Sequence, residues 1–150
     1  MYVTFLGLHN LMRWIVLGIG VWAVVRAYMG WARKSAWTPA DRRAGLFLTI
    51  AFDLQLLFGL LLYFVFSPLT RAALADFAGA MGSADLRFFA LDHALAMLAA
   101  VILAHVGSAL SRRATDDAAR HKRAAIFYTL SLAAVLLAIP WSRPLFPGLG

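Results

Sequence analysis

Six ionisable side chains fall well away from the ends of stretches that are otherwise apolar: His9, Arg13, Asp53, Asp92, His93 and His105; Arg26 lies near a span end, where it can snorkel. Gln55 joins them as a polar neutral group. Such residues are costly in hydrocarbon, so each is a functional hypothesis by default. His9 and Arg13 are four apart in "LGLHNLMRW" and share a helix face. With helices starting near Val3 and Leu86, His9 lies roughly 9 Å and His93 roughly 10 Å from the same face. Two neutral imidazoles at one depth, on neighbouring helices, are what axial ligation of a haem iron needs. The same pair also suits interhelical hydrogen bonding with no ligand at all.

Arg13 has two candidate partners. It suits a haem propionate or another anion. It also suits Asp53, because the two depths, roughly 15 Å and roughly 13 Å from opposite ends, meet near mid-membrane, and a buried pair costs less than either charge alone. Asp92 points about 100° away from His93 around the helix, so its expected role is to orient His9 or hold Arg13, as a carboxylate does for a ligating imidazole. His105 reads as a hydrogen-bonded interior histidine or a further cofactor ligand. His121, in "ARHKRA", reads as part of a solvated basic loop or, again, a ligand. His93 and His105 are turned about 120° from each other, so one groove cannot hold both.

The elements that must position these groups are membrane helices. Of 150 residues, 63% are hydrophobic, and the mean hydropathy is +0.78; soluble domains run roughly 45–50% apolar. Four segments suit the ~20-residue length of a span: about 3–29, 44–66, 86–110 and 124–141. The second stops at Ser67-Pro68, since proline disfavours helix in the residue before it. The length suits a single domain. The absence of cysteine excludes disulfides and thiolate-held metals. The N-terminus does not read as a removable signal peptide.

The net charge of +7 lies mostly in two short loops, which argues against nucleic acid. One loop holds Arg33, Lys34, Arg42 and Arg43; the other holds Arg112, Arg113, Arg120, Lys122 and Arg123. Only Arg71, Arg87 and Arg143 lie near the opposite side. The positive-inside rule then puts both loops in the cytoplasm and both termini outside, with Trp31, Trp37 and Trp141 as interfacial anchors. The expected fold is all-α: an antiparallel up-down four-helix bundle in a bacterial inner membrane. Leu69, Ala72, Leu74, Phe77 and Met81 of the outer loop suggest a short surface helix, read either as membrane-lying or as a cap. Ala90, Ala94, Ala96, Ala99, Ala100 and Ala104 leave room on the third span for a neighbouring helix or a flat ligand.

In "LHNLMRW", "FDLQLLFGLLLYF", "RFFALDHALAMLAA", "ARHKRAAIFY" and "AIPWSRP", which cover most of the chain in order, the sequence resembles a family of small four-span bacterial membrane proteins often labelled cytochrome b. The resemblance implies a b-type haem held by histidines, carried over onto His9 and His93, with His121 a further candidate in its "RHK" segment. Size and span count are also similar to the membrane-embedded, haem-binding protoporphyrinogen oxidases, but their long aromatic motif after the first histidine is missing.

Three functions compete. The first is a haem b protein carrying electrons between a membrane quinol and a partner in a redox complex, with Trp14, Phe88 and Phe89 lining a quinone pocket or simply packing. The second is an accessory subunit with no cofactor, packed against other membrane subunits or further copies of itself. The third is a small carrier or proton relay using Arg13, Asp53 and the histidines.

Overall fold

The computed structural model describes residues 1–141; Arg143 lies outside them. Those residues are helical throughout, joined by short turns. Four long helices dominate: α1 (Tyr2–Arg33), α2 (Pro39–Leu61), α6 (His93–Arg113) and α7 (Asp117–Ala138). Between α2 and α6 come the short α3 (Pro68–Ala75), α4 (Phe77–Ala80) and α5 (Ala84–Arg87). Three stretches are long and apolar enough to cross a membrane: Tyr2–Arg33, Pro39–Phe66 and Ala84–Arg113. α7 begins at Asp117, ahead of the expected Ala124, and its first two turns carry Arg120, Lys122 and Arg123. Those charges dilute the apolar run.

The long helices meet along small residues. α1 buries Arg13, Val16, Gly20, Ala23, Ala27 and Gly30, one every three or four positions, as a single packed face requires. α7 buries His121, Ala124, Tyr128, Ser131, Val135 and Ala138 with the same spacing. α1 packs on α2 and α7, and α6 packs on the same two helices. Ala100 and Ala104 are fully buried, close enough to α7 for the Ser131 hydroxyl to donate to the Ala100 carbonyl at 2.7 Å. Ala99, by contrast, is exposed. The large side chains face outward: Val21, Trp22, Phe47, Leu57, Leu98 and Ile102 are all exposed. Small inside and large apolar outside reverses the soluble pattern and suits lipid as the solvent.

The turns are capped by their own side chains. Asp41 accepts from the Thr38 backbone N–H and hydroxyl and from Arg26 at 2.7 Å, which fastens the start of α2 to α1. Asp116 accepts from the Ala119 N–H at the start of α7.

The segment between α2 and α6 folds as a cap, but not on the expected stripe. Asp76 ends α3 and caps α4 by accepting from the Gly79 N–H, so the surface helix is broken in two. Ala72, Leu74 and Phe77 are exposed; Thr70, Ala73 and Ala80 take the buried face, with Leu69 and Met81 half-buried. Ala73 and Ala80 pack on Ala90.

Candidate functional site

Beneath that cap is a cavity of about 590 Å³. Its walls are mostly apolar, including Leu6, Val16, Phe52, Leu62, Val101 and Ile139. The polar groups reaching it include His9, Asn10, Arg13, Gln55, Tyr63 and His93. A largely apolar chamber of this size with a few convergent polar groups is the usual form of a small-molecule or cofactor site.

His9 from α1 and His93 from α6 meet edge-on, ring centres 6.3 Å apart and planes at 66°. The depth match counted from sequence thus becomes a contact. His93 Nδ1 lies 2.8 Å from the carbonyl oxygen of Ala138. That carbonyl belongs to the last residue of α7, where the intrahelical ladder ends. Donation by Nδ1–H fixes the tautomer and leaves Nε2 as a lone pair. Phe88 and Phe89 flank the same ring, with centres 5.8 and 6.2 Å away. His9 meets Gln55 of α2, whose Nε2 lies 3.2 Å from one ring nitrogen and 3.3 Å from the other. Gln55 Oε1 is buried with no partner among the described residues.

Local backbone choices set these positions. The helix widens by one residue at Leu62–Phe66 and again at Phe88–Asp92, where the Ser67 N–H reaches the Leu62 carbonyl and the His93 N–H reaches that of Phe88. Such widened turns spoil the regular ladder and concentrate at functional sites. Here side chains repair both: the Tyr63 hydroxyl donates to the Ala90 carbonyl at 2.7 Å, and the Thr70 hydroxyl to the Tyr63 carbonyl at 2.8 Å. The second widened turn ends immediately before His93 and so helps set where its ring points. Gly59 makes room for His9: a Cβ there would stand 3.3 Å from His9 Cε1.

No family model, curated protein or solved structure matches this chain. The geometry therefore carries the reading.

Arg13 lies in the cavity wall, 7% exposed, with its guanidinium 5.6 Å from the centre of the Trp14 ring. Asp53 is not its salt-bridge partner. Asp53 Oδ1 instead bonds His105 Nε2 at 2.8 Å, on a seam between α2 and α6 where both side chains are about half exposed. Matching depth was the wrong criterion, because Asp53 points to the outer face of α2. His105 is accordingly hydrogen-bonded but not interior, and it lies outside the cavity lining. Asp92 neither orients His9 nor holds Arg13; it pairs with Arg87 at 3.5 Å, exposed. Gln55, on the turn of α2 that faces the cavity, takes the role expected of Asp92.

His121 is not in a solvated loop. It is 1% exposed, lies against Gly30 of α1 and has its ring centre 4.9 Å from that of Trp37; among the described residues neither ring nitrogen has a hydrogen-bond partner. It too lies outside the cavity lining, as does Trp14, whereas Phe89 is part of it.

Proposed function

We propose that this chain is a b-type haem protein of a bacterial inner membrane. Four spans form an antiparallel four-helix bundle, both termini face outward, and electrons pass between a membrane quinol and a partner protein. The resemblance to the small four-span cytochrome b-like family agrees with this reading. The observation that carries it is the pair of neighbouring imidazoles, with ring centres 6.3 Å apart, at the wall of a large apolar cavity. These two side chains would hold the haem iron.

The remaining donors narrow the ligand. Among the described residues, no group of three or more His, Cys, Asp or Glu side chains converges. Two imidazoles alone do not complete the shell of a bare cation, which takes four or more ligands. A group bringing its own ring of donors and an apolar body fits both the donor set and the cavity. His93 already has the carbonyl partner that ligating histidines use to orient the ring. His9 has its equivalent in Gln55: a half-turn of the amide places the orphaned Oε1 on a ring N–H.

When bound, haem supplies the one-electron chemistry, tuned by axial ligands and burial. The chain's own residues do the rest. His9 and His93 would hold the metal, Arg13 one turn along would offer charge to a propionate, and Leu62, Val101 and Ile139 keep water from the chamber. Phe88 and Phe89 hold the His93 ring in place.

One observation favours the cofactor-free accessory subunit. Both histidines already link helices, His9 to α2 and His93 to α7. A dithionite-reduced minus oxidised spectrum of purified protein, with a pyridine haemochrome count, separates the two. The expected result is a b-type α-band from a single haem. No haem band would leave the accessory reading standing.

A further inference from the structure

Asp53 and His105 form a polar pair where the helices turn toward lipid. Their side chains are 56% and 45% exposed, and the exposed neighbours are Ile50, Leu54 and Leu57 on α2, with Leu98, Ile102 and Val106 on α6. Ionisable groups within apolar spans almost always face a protein interior or a water-filled cavity. Here a pair stands in the middle of an apolar face. Among the described residues one bond joins it, Nε2 to Oδ1 at 2.8 Å, and the second carboxylate oxygen and the second ring nitrogen are left to be satisfied.

We propose that a second copy of this chain covers this face, related by a two-fold axis along the membrane normal. The argument is one of charge and symmetry and does not depend on what the cavity holds. A rotation about the membrane normal leaves every atom at its own depth. Asp53 and His105 are already level with each other, so Asp53 meets the partner subunit's His105, and the reverse, with no vertical shift. Each Nε2 serves its own Asp53, and each Nδ1 meets the second carboxyl oxygen of the partner's Asp53 across one proton. Two carboxyl groups and two imidazole rings then close a ring of four hydrogen bonds. Such an interface is isologous, as two-fold dimers require. Leu57 and Ile102 would flank the ring as its apolar surround, and the polar centre would fix register, as a lone polar core position does in coiled coils. A different subunit would need its own matching pair at this depth, which a second copy has by symmetry.

The sequence lacks cysteine, so single cysteines report the interface cleanly. Leu57→Cys and Ile102→Cys, on this face, and Val25→Cys, on the exposed side of α1, are to be reconstituted in lipid vesicles and oxidised. Disulfide-linked dimers are expected when Leu57→Cys and Ile102→Cys chains are mixed, because position 57 of one copy then faces position 102 of the other, but not from Val25→Cys. Dimerisation is to be followed by energy transfer as protein is diluted in lipid. The double variant Asp53→Leu, His105→Leu is expected to dissociate at about tenfold or more higher protein-to-lipid ratio, from the loss of two intersubunit bonds. If that variant does not fold, Asp53→Asn and the cross-linking pattern still give the answer. Monomers at every dilution, equal cross-linking at 25, or unchanged dissociation in the folded variants would overturn the proposal. So would cross-links from 57 and 102, formed in native membranes, only to a different polypeptide.

Discussion

Replacing Gly30 by alanine tests how tightly α7 is set against α1. A Cβ at position 30 would fall on the His121 imidazole, against Cε1 and Nδ1 and 2.6 Å from Nε2. The ring has nowhere to go, being 1% exposed with Trp37 beside it. The two helices must part, and overpacking of this kind costs about 1–3 kcal/mol. Alanine in a helix interior returns about 1 kcal/mol over glycine. Gly30→Ala is therefore expected to lose about 1 kcal/mol net. In a His121→Ala background the obstacle is gone, and the same change should gain about 1 kcal/mol. The coupling between the two sites is then about 2 kcal/mol. Reversible unfolding in mixed micelles, run on both single variants and the double, measures it. An equal effect of Gly30→Ala in both backgrounds would refute the reasoning.

Three further outcomes are expected. With cysteines introduced at positions 2 and 38, a membrane-impermeant reagent should label position 2 from outside and position 38 only from the cytoplasmic side; labelling of 38 from outside alone contradicts the topology. Gln55→Leu removes the one side chain that, among the described residues, hydrogen-bonds the His9 ring, and on the proposed haem reading should lower haem retention about tenfold or more with His9 itself in place; unchanged retention would show that Gln55 does not orient the ring. Arg13→Ala and Asp53→Ala should have additive effects on stability, because Asp53 pairs with His105; a strong positive coupling would restore the Arg13–Asp53 pair.

Counting residues along a helix gives height but not direction, and that separates what the sequence disclosed from what it hid. Height was enough to bring His9 to His93. It failed for Asp53, which shares a level with Arg13 but faces outward. Direction was present in another signal: the buried faces are made of small residues. On α6, Ala100, Ala104 and Gly107 lie inside, and Leu98, Ile102 and His105 follow one another on the outside. His121 falls in register with Ala124, Tyr128 and Ser131 of the buried face of α7, although the surrounding charges suggested solvent. The widened turns at 62–66 and 88–92 carry no composition cue in "LYFVF" or "FFALD". Their repair by Tyr63 and Thr70 depends on contacts between segments, which local sequence does not encode.

The central claim is that His9 and His93 hold one haem. Low-temperature electron paramagnetic resonance of purified wild type, His9→Ala, His93→Ala, His105→Ala and His121→Ala, each with its haem-to-protein ratio, tests it directly. The expected result is a low-spin signal in wild type and in the last two variants, and loss of haem or of the low-spin signal in His9→Ala and His93→Ala. Full haem occupancy with an unchanged low-spin signal in both His9→Ala and His93→Ala would contradict it.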